Sequence, residues 1–330
     1  MKNKKYSIGL ALLLTGSLAL TFCTQDKTNV APTADKDTSA ATEVGIVELM
    51  VSDICEIGAQ GCEGNSYITS YSYNTAGKAI PNTTLISTPA NVNRDSTAKI
   101  FTITFNNTLG LDGRVRNGVL QFNYNTSTLN AKFNRQVGFR AVVTSTNYTC
   151  GDVDPLMMSV KAYSLNINSM SITNSTQAGF NKAITNLTWV QVSNMTIMNP
   201  AGGGTTTYNG NTTKTLLNTS ATGTVNAPYQ SAAIPMKWTF ARTGWFGTGS
   251  GVLANGTAYT FKSEDVTQLT RDFTCSPEKL VYPEKHPFMS GLYVISMAGK
   301  GDRNLDFGQN SCDYNVNVTI NGITYPVDIN

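Results

Sequence analysis

The stretch Leu111 to Phe122 reads LDGRVRNGVLQF and sets one aspartate, two arginines and two glycines between apolar runs. Three chemistries use such residues: a phosphate cradle, a calcium loop, or a turn between two strands. A calcium loop needs several converging oxygens, and one aspartate beside two arginines does not supply them. A phosphate cradle needs a glycine-rich loop that opens a helix. Here the flanking runs, FTITFNNTLG and VLQFNYN, alternate as strands do. Asp112-Gly113 therefore reads as a hairpin dipeptide, with Gly118 easing the way into the next strand. Arg114 and Arg116 lie two apart and share one face of any strand they occupy. They are expected as exposed decoration or as an anion-binding pair.

Other candidate chemistry is sparse. His286 is the only histidine, and a catalytic triad would have to use it. Its setting, YPEKHPFMSG, reads as a loop, and Ser290 lacks the strand–turn–helix context of a nucleophile elbow. A glycosidase needs only two carboxylates, for which Glu264, Asp265, Asp272, Asp306 and Asp313 are candidates. Capping of the FGQNSC turn accounts for Asp306 and Asp313 equally well. Trp189 alternates with Leu187 and reads as core. Trp245 lies in the loop-like ARTGWFGTGSG, where an exposed aromatic beside Asn could stack on a sugar, against the alternative of a core anchor. The run Gly202-Gly203-Gly204 precedes no helix and is read as an insertion or the tip of a hairpin. Without a CxxC pair or a second histidine no metal site is expected. No cofactor and no catalytic residue are assigned.

The N-terminus reads as an export signal. MKNKK is a basic start and IGLALLLTGSLALTF an apolar run of the length used for export. No other stretch is long and apolar enough to span a bilayer. Residues 1–22 are thus read as a signal peptide and residues 23–43 as a flexible polar tether. The arrangement resembles a bacterial lipoprotein, with Leu20-Thr21-Phe22-Cys23 as its box and Cys23 as the acylated residue. Phe22 departs from the usual small residue, and ordinary secretion after nearby cleavage is the alternative.

Exported chains with many cysteines usually form disulfides. Six are present. With Cys23 set aside for lipid, five remain. Cys55 and Cys62 bracket a short glycine-containing loop, Cys275 and Cys312 flank the last third, and Cys150 is left over. The first four are the candidate disulfide cysteines.

Charged residues make up 14% of the chain, against about 25% in ordinary globular proteins. Asn, Thr, Ser and Gly supply the polarity instead, residues suited to turns and to the wet faces of strands. The net charge is +3 and no basic block exists, so nucleic-acid binding has no support. From about residue 44 onward the pattern has period two: KIFTITF, VLQFNYN, YSLNINSMSIT, LTWVQVSNMTI and GLYVISM. No long stretch carries a helical stripe. YNVNVTI-NG-ITYPVDI predicts a two-residue type I′ hairpin pairing Ile320 with Ile323, Val318 with Tyr325, Val316 with Val327 and Tyr314 with Ile329. Pro326 marks an edge strand.

Short motifs along the chain resemble a family of uncharacterised envelope lipoproteins of Bacteroidota. The residues that carry the likeness run from Phe105 through Asp112, Gly113, Arg114, Arg116 and Gly118. Further on they include Arg242, Thr243, Trp245, Gly249, Gly251, Asn255, Gly256 and Tyr259, then Cys275 with Ser290-Gly291, Asp306-Phe307-Gly308, Cys312-Asp313 and Asn321-Gly322. The resemblance covers about Lys99 to the end and implies an all-β, envelope-attached protein. It assigns no activity.

The expectation is a mostly antiparallel all-β fold, sandwich-like or an elongated β-meander, over residues 44–330, with a short N-terminal subregion to about 95. The expected role is a non-catalytic binding or structural one in the cell envelope, lipid-anchored at the outer membrane on its periplasmic or surface side. A glycan or an envelope protein is the expected partner. The competing expectations are a carboxylate-based glycan hydrolase and an adhesion or scaffold subunit.

Overall fold

The computed structural model describes residues 35–63, 72–73, 79–80, 91–109, 114–128, 131, 134, 138–154, 159–175, 188–217, 242–272, 288–309, 316–327 and 329. The calls on Cys23, Asp112-Gly113, Cys275, His286, Cys312 and Asp313, and the pairing of Tyr314 with Ile329, lie outside them. Residues Asp35–Asn330 form one compact unit.

The fold is mostly antiparallel β, built as a single large meander. In chain order its strands are β3 (Asn91–Asp95), β4 (Ile100–Leu109), β5 (Arg114–Asn123), β6 (Arg140–Asp154), β7 (Ser159–Asn174), β8 (Thr188–Met198), β9 (Thr205–Leu217) and β10 (Arg242–Val252). Then come β11 (Ala258–Ser263), β12 (Leu269–Asp272), β13 (Phe288–Met297), β14 (Arg303–Gln309), β15 (Val316–Ile320) and β16 (Ile323–Val327). Each pairs with its sequence neighbour from β3 to β16, except between β10 and β13. There β11 pairs one half of β10 and β12 the other, so the two form one strand position interrupted by the 3-10 turn Asp265–Thr267. A separate two-stranded ladder joins β1 (Ser72–Tyr73) to β2 (Ala79–Ile80).

Sequence alternation sets the faces. In β9 the residues Thr206, Tyr208, Gly210, Thr212 and Lys214 point inward and are buried, while Thr205, Thr207, Asn209 and Asn211 are exposed. Inner aromatics layer against one another, as in the stacked pairs Phe101–Phe122, Tyr208–Phe261 and Phe261–Tyr293, with ring centroids 4.6, 5.2 and 5.0 Å apart. The predicted C-terminal hairpin forms with its predicted register, Ile320↔Ile323, Val318↔Tyr325 and Val316↔Val327. Asn321 and Gly322 take φ of 51° and 82°, the left-handed values a type I′ turn demands. Among the described residues β16 pairs only with β15, so Pro326 does sit on a sheet edge. The glycine-rich run is the tip of the β8–β9 hairpin, closed by the Asn199 N–H donating to the Gly204 carbonyl at 2.9 Å.

What the alternation did not reveal is a helix. α1 spans Ser39–Glu63, taking in the last residues of the expected tether and the first of the expected β domain. Its sequence, SAATEVGIVELMVSDICEIGAQGCE, contains no proline and is apolar nearly all round, the composition of a helix buried on every side. Val44, Leu49, Val51, Ile54 and Ile57 are fully buried. Asp37 accepts hydrogen bonds from the Ser39 N–H (3.1 Å) and hydroxyl (2.5 Å) at the N-terminal end. At the other end Arg94 donates to the Gly61 carbonyl at 3.0 Å, meeting the negative pole of the helix.

The sheet rolls around this helix. Arg116 on β5 and Arg271 on β12 reach the two oxygens of one carboxylate, Asp53, at 2.8 and 2.9 Å. The sheet order places six strand steps between β5 and β12. Laid flat, six steps would span about 29 Å, so the sheet must curl for both side chains to arrive. Helical glycines permit the close fit. A Cβ at Gly45 would lie 3.0 Å from Leu305, one at Gly58 2.4 Å from Phe122, and one at Gly61 2.6 Å from Ile103.

Gly58→Leu should therefore destabilise the fold by about 3 kcal/mol, because the Phe122 ring is held against Phe101 and cannot give way. Urea unfolding checks it. An unchanged midpoint would mean that the helix and β5 are not in contact.

Candidate functional site

The described residues of α1 carry carboxylates and no cation, and the surrounding strands supply the partners. From the N-terminal end, half-buried Glu43 accepts from the Thr206 hydroxyl and from the Ala254 N–H (2.7 Å). Glu48 accepts from the hydroxyls of Tyr208 (3.0 Å) and Tyr293 (2.8 Å). Asp53 pairs with Arg114 (3.1 Å), Arg116 (2.8 Å) and Arg271 (2.9 Å). Glu56 pairs with Lys214 (2.8 Å) and accepts from the Thr243 hydroxyl (3.2 Å). Just before the helix, Asp35 pairs with Arg303 at 2.5 Å.

Register explains the Lys214 site. Trp189 on β8 and Trp245 on β10 lie directly opposite Lys214 on β9. The ammonium consequently sits 4.9 Å from one ring centroid and 5.5 Å from the other, a cation held between two π faces as well as by a carboxylate. The Trp245 Nε1 donates to Thr243 Oγ1 at 3.2 Å, and the Trp189 Nε1 to the Asn134 carbonyl at 2.7 Å.

Burial sets the proton affinities. Desolvation alone would raise Asp53, but the fields of Arg271, Arg114 and Arg116 outweigh it and hold the carboxyl far below the usual carboxylate range. Among the described residues no cation acts on Glu48. Burial raises its pKa, and the two tyrosine hydroxyls offset this only in part. Burial pushes the Cys55 thiol up to about 12.

These positions correct several expectations. Arg114 and Arg116 do share a strand face, but it is the inner one, and both are buried against Asp53 instead of being exposed. Trp245 is buried at 1% exposure and takes part in the Lys214 cage, so it is no surface sugar platform. Its neighbour Phe246 is the one on the outer side, half-buried. Cys55 and Cys62 do not bracket a loop. They lie seven residues apart on one helix, about 10 Å along its axis, beyond disulfide reach; Cys55 is a buried free thiol, and Cys150 is buried as well. Trp189 is core, as its alternation implied.

Among the candidate hydrolase carboxylates, exposed Glu264 pairs with Lys262 at 2.7 Å, and exposed Asp306, within β14, accepts the Gly308 N–H at 2.9 Å. Among the described residues no three metal-ligating side chains gather, and no helix is long and apolar enough to cross a membrane.

What sequence reasoning missed was the acidic helix. Glu43, Glu48, Asp53 and Glu56 recur at spacings of five, five and three with no intervening base, a signal visible only once that stretch is read as helical. The outer face is the other overlooked feature. Asn168 lies on a bulge in β7 and donates through Nδ2 to Asn194 Oδ1 (2.9 Å) and Thr196 Oγ1 (3.3 Å), while Asn166 donates to Asn168 at 3.2 Å.

No protein-family model, curated protein or solved structure matches the chain.

Asp53→Asn should cost about 3–5 kcal/mol, since it strips the charge that three buried guanidiniums face. The pH dependence has two limbs of opposite sign. Asp53 is depressed in the folded state, so its contribution is present above the unfolded carboxylate value of about 3.9 and is lost as pH falls below it. Glu48 is raised, so the folded state holds a proton that the unfolded state has released, and stability falls as pH rises above about 4.3. Unfolding midpoints across pH should show Asp53→Asn flattening the acid limb and Glu48→Gln the upper one. Separately, Cys55 should resist alkylation in the native protein and react once denatured; mass-spectrometric labelling of it without denaturant would contradict the burial described here.

Proposed function

We propose that this protein is a cell-envelope lipoprotein with a non-catalytic binding or structural role, tethered through Cys23 and acting through the outside of its curled sheet. The observation that carries the reading is the fate of the interior. The space inside the sheet is occupied by the chain's own helix, and Glu43, Glu48, Asp53 and Glu56 are each engaged by wall residues. The groups left facing water on β7 to β11 are mainly amides and hydroxyls. Such groups suit recognition by hydrogen bonding, and among the described residues of these strands no pair of carboxylates is displayed beside them. The basic start, apolar run and cysteine at the N-terminus support the envelope address, and the resemblance to Bacteroidota lipoproteins agrees with it.

Intact mass of the protein extracted from membranes tests the reading. The expected species starts at Cys23 and carries acyl groups, and its mass is unchanged by alkylation at Cys55 under native conditions. An unacylated chain found in the medium would replace membrane attachment with secretion.

A further inference from the structure

The chain enters the folded unit at one end of the sheet. Asp35 pairs with Arg303 at the start of β14, and Asp37 pairs with Lys300 in the β13–β14 turn at 3.3 Å. Glu43, early in α1, accepts from the Ala254 N–H in the β10–β11 turn. Neighbouring turns crowd against these. A Cβ at Gly301 would meet the Asn321 side chain of the β15–β16 turn, and one at Gly204, in the β8–β9 tip, would meet Ala254. Residues 199–204, 253–257, 298–302 and 321–322 thus gather around the start of the helix. From there α1 runs along the strands. Asp53 pairs with Arg114 at the start of β5, and Gly58 packs against Phe122 near its end. The longer connections, over residues 124–139, 175–187, 218–241 and 273–287, join strands at that opposite end.

We propose that the end around Asp35 lies against the phospholipid headgroups of the membrane that holds Cys23, with the strands upright on it; this rests on the lipoprotein reading above. Covalent reach carries the argument. From Cys23 to Asp35 the chain can span at most about 43 Å, and only when fully extended. The helix Ser39–Glu63 is itself about 37 Å long. Resting the opposite end on the bilayer would hold Asp35 about that far above it. That demands a nearly straight connection to Cys23, at a large cost in chain entropy. Resting the near end there demands no extension. The chemistry of the near end also fits headgroups. Apart from buried Leu253 and the charged Lys300 and Asp302, its turns consist of Asn, Gly, Ala, Pro and Thr. The charges around them balance, with Lys36, Lys300 and Arg303 against Asp35, Asp37 and Asp302. Such an end rests at the interface without inserting into hydrocarbon and without repulsion from anionic lipid. Upright strands leave the outer face of the sheet clear of the bilayer and put the longer connections farthest from it.

The test uses the acylated mature protein in vesicles of phosphatidylethanolamine and phosphatidylglycerol, doped with a phosphatidylcholine that carries a nitroxide on its headgroup. An azide-bearing phenylalanine replaces one exposed residue at a time: Ala298 in the β13–β14 turn, Asn255 in the β10–β11 turn, or Thr126 just beyond the end of β5. A dye is coupled to the azide, which leaves the cysteines untouched, and the nitroxide quenches it only near contact. Thermal midpoints equal to the unlabelled protein establish that each variant folds, and either near-end site suffices if the other does not. The expected result is loss of most of the fluorescence at Ala298 and Asn255 and of little at Thr126. Equal quenching at all three, quenching confined to Thr126, or none at any site while the protein stays bound would overturn the orientation and leave lipid attachment standing. A mature chain that carries no acyl group and stays off the vesicles would overturn the lipoprotein reading and the orientation with it.

Discussion

The structure depends on the burial of an acidic helix inside a cationic sheet. A helix buried along most of its circumference cannot rest on a flat sheet, since half its surface would stay wet. It forces the sheet to curl round it, and the meander is long enough to do so. The acids on the helix would carry a heavy desolvation penalty there. The wall meets each with a specific partner: hydroxyls for Glu43 and Glu48, guanidiniums for Asp53, and an ammonium for Glu56. Replacing such a pair with apolar residues often costs nothing, so the pairs argue less for stability than for register. They fix which turn of the helix faces which strand. Sliding the helix by one turn would separate Asp53 from its three arginines and Glu56 from the Trp189–Lys214–Trp245 cage together.

Much of the sheet was legible because one face is wet. Period-two alternation, β-branched enrichment and the Asn-Gly turn together specified antiparallel strands and, at the C-terminus, an individual register. The helix was not legible for the same physical reason that it is buried. Amphipathic periodicity appears only when one side meets water, and α1 has no such side. The polar residues before it disguised its start, and Cys55 and Cys62 suggested a closed loop where the chain continues through two turns of helix.

The arginines show how a local reading can be right while its consequence is wrong. Arg114 and Arg116 lie on a common strand face, as their spacing required. Which face that is depends on Leu120 and Phe122, farther along the same strand, and on the bulge between Asn117 and Val119 near Gly118. Partners 61 and 63 residues earlier in the chain then decide that the pair serves structure. Trp245 follows the same logic. Its glycine-rich surroundings suggested a loop, yet β10 uses those glycines as strand. An added Cβ at Gly249 would meet the Phe261 ring at 2.3 Å, so the glycine makes room for an inner aromatic and does not loosen the chain.

This division of labour gives the low charge content a physical sense. Among the described residues a large share of the charged side chains is consumed inside, in the pairs that hold helix to sheet. The outer faces of the described strands then carry mainly Asn, Thr and Ser, which keep a broad β surface hydrated, with Val142, Val192, Met198 and Val252 exposed among them. Such a surface has little long-range electrostatic steering.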